Sequence, residues 1–370
     1  MRARTWFAVP LAATLCTACA LVLGIDERPP YPEATDASDA ATEGGDASAF
    51  DPCSASTVFP PRPPDAVGGP ALDFVIRHPG FQGAPADAGG GKLQVCPFGS
   101  FNVDGLDTCN GMAGPPTSAC VPRADAGPAC DLGEGRDDAL GALISRIPDG
   151  TQADSRIENG ELGLMISVSG WSGGPDDGNV TVDFFALGPV EATAADAGPA
   201  WNGSDSWSMD KASCTDPTCS IFSAYRGEGY VAGGVLFAHA PHLLFPLHLA
   251  DSRVAFTIDD VILTGVVHAG AGLALTLGRF AGRVDRESAL RQLGRASFFG
   301  SPFCESKTWP FAVGLACGQA DLPLETGEST APCDAFSVGI TFEGWRAVRG
   351  KAVALDAGLD CPDAASFACP

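Results

Sequence analysis

Basic residues are scarce in this chain: 22 Lys and Arg stand against 45 Asp and Glu over 370 residues, a formal net charge of -23. Nucleic-acid binding rests on a positive footprint that neutralises phosphates, so that class of partner is excluded. An anionic lipid surface is disfavoured on the same ground. Long apolar runs are missing as well. The longest near the start runs from Trp6 to Ala18, about 13 residues where roughly 20 are needed to span a bilayer. An HExxH helix, a P-loop and a GxGxxG fingerprint are absent, and no residues make the case for a catalytic triad, so no enzyme class is indicated. A glycosidase needs only two carboxylates at a set separation, and 45 acids do not single out a pair. Aromatics are modest for the length, at 21 Phe, 6 Trp and 3 Tyr.

What is present begins with an address. Arg2 and Arg4 precede the apolar stretch, and small residues follow it, the build of a secretory signal. Thr17, Ala18 and Cys19 resemble the bacterial lipoprotein signal, with Cys16 standing where leucine is usual. That resemblance implies that Cys19 is diacylated and becomes the new N-terminus. Ala20 at the next position implies sorting to an outer membrane. Cleavage after Ala20, giving a soluble secreted protein, is the alternative. From Pro29 to Pro61 there are six acids and no Lys or Arg, among Pro, Ala, Ser, Thr and Gly. Such a composition buries too little apolar area to offset chain entropy, and it reads as an extended stalk. The expected organisation is a signal with its lipidation cysteine over 1–19, an acidic linker over 20–52 and a globular region over 53–370, with a division into subdomains near 190–212.

Fourteen cysteines are present. With Cys16 and Cys19 assigned to processing, Cys53, Cys96, Cys109, Cys120, Cys130, Cys214, Cys219, Cys304, Cys317, Cys333, Cys361 and Cys369 remain. An even set in an exported chain reads as a disulfide framework, whose pairing spacing does not reveal. No CxxC pair lies among them to favour structural zinc.

Period-2 alternation dominates. Leu162, Leu164, Ile166 and Val168, then Val180, Val182 and Phe184, then Val254, Phe256 and Ile258, then Leu273, Leu275 and Leu277, then Val338, Ile340 and Phe342 each alternate with more polar neighbours, as half-buried strands do. Forty-six glycines and thirty prolines supply turns. One helix is expected from an Asp285 N-cap, with Leu290 and Leu293 on one face and Gly294 ending it, and a second around Phe311 to Cys317. The expected fold is mainly β: a disulfide-braced antiparallel sandwich, jelly-roll-like, with one or two short helices. The tripeptide DAG recurs at Asp87, Asp125, Asp196 and Asp356 without longer similarity, which marks biased loop composition.

Candidate ligand residues fall in three places. Asn102, Asp104 and Asp107 surround Gly105, resembling a fragment of the oxygen-ligand loops that bind calcium. An Asx-turn leading into Cys109 accounts for the same residues. Asp176 and Asp177, in a loop between two strong strands, are the other calcium candidates. With Trp171, and with Trp201 and Trp207 in the stretch WNGSDSW, they would suit a sugar-binding edge of aromatic faces and carboxylates. Packed tryptophans beside polar turns account for these residues too. His239, His242 and His248 crowd into HAPHLLFPLH. That spacing would suit zinc or copper, but Pro241 and Pro246 break a helix there, and a strand-turn-strand with satisfied histidines fits as well. The chain resembles the cysteine-rich lipoproteins with acidic Ala/Asp/Gly linkers that bacteria display, a resemblance that carries location and no activity. The expected role is structural or binding at the cell envelope, the partners being the membrane through the lipid and a glycan or envelope protein. A calcium-assisted carbohydrate-binding module and an envelope hydrolase are the alternatives.

Overall fold

The computed structural model describes residues 50–81, 95–104, 120–121, 136–144, 152–191, 198–216, 223–249, 252–270, 272–298, 300–325, 331–355, 359–362 and 367–369. Cys19 lies outside them, as do Asp107, Cys109, Cys130, Cys219 and the four DAG aspartates. The chain is mainly β, as its alternation predicts. The strands are β1 (Leu72–Phe81), β2 (Gly163–Ser169), β3 (Asp177–Val190), β4 (Ser206–Asp210), β5 (Tyr225–Ala232), β6 (Val235–Leu249), β7 (Ser252–Val267), β8 (Leu273–Asp285), β9 (Ser297–Phe298), β10 (Ser301–Pro302), β11 (Ala335–Arg346) and β12 (Val348–Val353). Among them stand α1 (Ala139–Ile144), α2 (Gln152–Glu158), α3 (Arg286–Arg295) and α4 (Trp309–Cys317).

Ten of the strands join in one sheet in the order β12-β4-β3-β2-β1-β11-β8-β7-β6-β5. This sheet turns back on itself. The first half of β3, Asp177 to Phe184, pairs with β5, while Leu187 and Val190 farther along pair with β4. Eight antiparallel strands therefore form a closed ring, and β4 with its parallel neighbour β12 hangs from the end of β3. The 190–212 region carries β4.

Closure puts one face of every strand inside. Phe74 and Ile76, Leu164 and Ile166, Val182 and Phe184, Phe256 and Ile258, and Ile340 and Phe342 all belong to one buried cluster. Each such side chain contributes about 1.5–3 kcal/mol on burial. The outward face is also covered in part. Val75, Met165, Phe185, Leu187, Trp207 and Met209 form a second buried cluster beneath the β4 extension.

All four helices gather where α2 leads into β2, β8 runs into α3, and α4 precedes β11. Their apolar faces, including Leu140 and Leu143, Ile157, Leu290 and Leu293, and Trp309 and Val313, join the interior cluster and close that end. The short α1 and α2 were missed in the sequence, because six or seven residues show too little periodicity. In α3 the Asp285 carboxylate caps Ser288 N at 2.7 Å as expected, but the helix continues through Gly294. A β-carbon there would lie 3.3 Å from Cys304 Cβ and 3.2 Å from Cys361 Sγ, so this glycine admits a disulfide.

Four cysteine pairs are described: Cys53–Cys96, Cys120–Cys333, Cys304–Cys361 and Cys317–Cys369. Cys214 is disulfide-bonded too. Cys304–Cys361 and Cys317–Cys369 fasten the C-terminal segment to the region of α3 and α4.

Part of the stretch assigned to the stalk is docked. Phe50 and Phe59 pack edge-on or tilted against Phe237 of β6, with centroids 4.9 and 5.2 Å away, and the Tyr230 hydroxyl donates to Pro60 O. Beneath this strap lies Arg279, fully buried, with its guanidinium 3.7 Å from the centre of the Phe101 ring. It donates to Thr264 Oγ1 and to the carbonyls of Ser54 and Ser100. Burial pushes its pKa down to about 9, neighbouring Arg136 adds to that, and Asp51 opposes it. The segment around Ser100 crosses β11 backbone to backbone, which is why glycine stands at both Gly99 and Gly339: a β-carbon on either would fall inside 3.0 Å of the facing main chain.

Candidate functional site

The calcium and sugar candidates are brought into loops that bond to themselves. Asp177, fully buried at the start of β3, accepts hydrogen bonds from the backbone N–H groups of Ser172 at 2.8 Å, Asn179 at 3.2 Å and Ala66 at 3.4 Å. Burial alone would raise its pKa, but these bonds, with one from the Ser172 hydroxyl, outweigh it and hold the carboxyl below its ordinary value. Asp176 accepts from Gly233 N across the neighbouring turn. Both carboxylates are therefore engaged in bracing a turn. Trp171 is buried with its indole N–H donated to Gly174 O, and Trp207 is fully buried. Neither presents the open ring face that the sugar-edge expectation needs. In WNGSDSW, Asp205 accepts from Ala200 N and Trp201 N, and Asn202 accepts from Ser204. Asn102 and Asp104 lie apart from this region, beside Asp137, whose carboxylate accepts from Val103 N and Asp104 N. The pentapeptide Gly170 to Gly174 spells G-x-S-x-G. Its Ser172 sits between two strands, in place of the strand-to-helix turn that exposes a nucleophile.

The histidine-rich stretch is one strand, β6, with no turn inside it. Both prolines lie beyond His239, where β5 no longer pairs and β6 has only β7 as a neighbour, the edge setting to which proline is confined within sheets. His239 and His242 are exposed and face separate acids: His239 Nε2 lies 2.7 Å from Asp260, and His242 Nδ1 lies 2.6 Å from Asp259.

A different histidine carries the strongest cluster. Near the end of β1 the register against β11 shifts between Arg77 and Gly80, and His78 occupies the left-handed region at φ 53°. A non-glycine residue there is strained, and it turns the imidazole into a buried position, its side chain 6% exposed, facing α2. Asp154 and Glu158 are one helical turn apart on α2 and so share a face. His78 Nδ1 lies 3.1 Å from Asp154 Oδ1, and Nε2 lies 3.6 Å from Glu158 Oε1. Arg77 reaches the same glutamate through Nε at 2.5 Å and Nη2 at 2.8 Å, with its guanidinium between the rings of Trp201 and Trp345, 4.7 and 5.0 Å from their centres.

Among the described residues this is where three ligand-bearing side chains converge, with one atom from each of His78, Asp154 and Glu158 inside 4.8 Å of the others. Its parts are 76 residues apart in the chain, and no local spacing announces them. The available signal was the Arg-His-Pro break in an apolar strand, together with two acids at i and i+4 on a short helix. Comparison with family models, with curated proteins and with solved structures returns no match, so the reading of this chain rests on its own residues.

Proposed function

We propose that this chain is an exported cell-envelope protein, anchored through a lipid on Cys19, whose disulfide-braced β body serves a binding or structural role outside the cytoplasm. The observation that carries the reading is the set of four described disulfides, since cross-links of this density persist in oxidising compartments and are rare where thiols are kept reduced. The lipoprotein-like residues Thr17, Ala18 and Cys19 add the anchor. An acidic surface suits such a setting by keeping the body soluble and clear of anionic headgroups. The carbohydrate-module alternative draws less support from the geometry, because Trp171 and Trp207 are buried and Asp177 is committed to backbone donors.

The test is membrane partitioning of the full chain. Wild-type protein should enter the detergent phase, and both Cys19→Ser and inhibition of the lipoprotein signal peptidase should move it to the aqueous phase. Unchanged partitioning of Cys19→Ser would remove the anchor, and recovery of the described cysteines as free thiols would remove the export.

A further inference from the structure

We infer that His78, Asp154 and Glu158 form a binding site for a divalent transition-metal ion of the zinc class. This goes beyond the envelope reading and does not depend on the anchor.

The donor set is one imidazole nitrogen and two carboxylate oxygens. Imidazole suits zinc, nickel and cobalt, and carboxylates complete sites for those ions. Calcium, which takes six to eight oxygens, fits this set poorly. Bonds of about 2.0–2.2 Å to a common ion place neighbouring donor atoms roughly 3.0–3.5 Å apart. The 3.1 Å between His78 Nδ1 and Asp154 Oδ1 lies in that range, and one donor atom from each of the three side chains lies within 4.8 Å of the others. An ion uses one ring nitrogen, and the other remains free to hydrogen-bond a carboxylate, the kind of support that fixes ring orientation in metal sites. Arg77 donates to both oxygens of Glu158, Nε to Oε1 and Nη2 to Oε2, which fixes the carboxylate beside His78 and leaves a ligand role there to the remaining lone pairs of those oxygens. Three protein ligands leave one or more positions for water or an external ligand.

Access and rigidity agree with this assignment. The imidazole is buried, but the carboxylates of Asp154 and Glu158 are each 27% exposed, which leaves the site open on the side of α2. The two halves of the site come from elements that the fold fixes independently: β1 in the closed ring, and α2 packed by Ala153 and Ile157 into the interior cluster. The metal-free alternative is a polar cluster in which Arg77 pairs with Glu158 and His78 hydrogen-bonds Asp154, and the experiment separates the two.

Full-length protein should be stripped with chelator, then titrated with zinc chloride by calorimetry and followed by thermal melting. Cobalt chloride should be titrated in parallel for its visible absorption. The expected result is one equivalent bound, a higher Tm in zinc, and d–d bands with cobalt. Asp154→Asn and His78→Gln should each weaken zinc binding by more than about tenfold. His239→Gln combined with His242→Gln removes the exposed histidines of β6 and should leave the one-equivalent site intact. If His78→Gln fails to fold, Asp154→Asn and Glu158→Gln, on partly exposed positions of α2, give the same readout. Absence of a Tm shift at millimolar zinc would overturn the proposal and leave the polar cluster. So would binding that survives both carboxylate variants, or binding that disappears with the β6 pair.

Discussion

The buried carboxylate of Asp177 accepts a hydrogen bond at 3.4 Å from the backbone of Ala66, 111 residues earlier in the chain, so one side chain ties the N-terminal strap to the β2–β3 turn. Asp177→Asn should lower stability by about 1–3 kcal/mol at neutral pH, since a buried donor loses its charged acceptor. The pH dependence has a definite sign. Hydrogen bonds hold the native carboxyl below its ordinary value, so its contribution is present above that value and is lost as pH falls through the native one. Urea titrations from neutral pH downward should show the gap between wild type and Asp177→Asn shrinking below about pH 4.

Arg279 donates to three oxygens from beneath the strap. Arg279→Ala should cost about 3–5 kcal/mol, the range for breaking a buried, hydrogen-bonded charge network. Arg279→Met, which refills the volume over Phe101, should cost less. Limited proteolysis should then cut near Ser54 in the alanine variant first, because the strap loses the bond to the Ser54 carbonyl.

The Cys120–Cys333 cross-link spans 213 residues, and Cys53–Cys96 spans 43. Taken singly, chain-entropy arguments give about 5 kcal/mol for the longer loop and about 4 kcal/mol for the shorter. Paired Cys→Ala variants compared by chemical denaturation should keep that order. Alkylation without reduction, read by mass spectrometry, should leave Cys53, Cys96, Cys120, Cys304, Cys317, Cys333, Cys361 and Cys369 unmodified.

Trp171, Trp207 and Trp309 are buried and should be shielded from aqueous quenchers of fluorescence, with the half-buried Trp201 and Trp345 quenched before them. Melting in millimolar calcium and in chelator should give the same Tm for Asp176→Asn as the wild type shows, given that both turn carboxylates already have backbone donors. A calcium-dependent glycan-array signal that Asp176→Asn abolishes would reverse this and restore the sugar-binding alternative.

The strands were legible where period-2 alternation is unbroken. Leu164, Ile166 and Val168, and Val254, Phe256 and Ile258, point inward as their spacing predicts. Alternation misled where a bulge shifts its phase. Leu277 takes a φ of 51°, and beyond it the inward positions of β8 become Phe280 and Val284. Proline misled in β6, because an unpaired edge, which no local pattern reveals, is what makes Pro241 and Pro246 acceptable. Ring closure was not legible at all, since it depends on β3 finding β5 across a long intervening segment. The His78 cluster was hidden for the same reason: its imidazole and its carboxylates meet only through tertiary packing.

Because β3 is bonded to β2 along one side and to both β5 and β4 along the other, no terminal strand of the ring is free to peel away, and opening must begin by parting the ring somewhere along its seams. The β1–β2 seam is the shortest of the ring, running only from Leu72–Val168 to Val75–Met165, whereas β6 and β7 pair along nearly their whole lengths. In native-state hydrogen exchange the amides bonded across the β1–β2 seam should therefore report the lowest opening free energy within the ring. Those at the centre of β7 and β8 should exchange only through global unfolding.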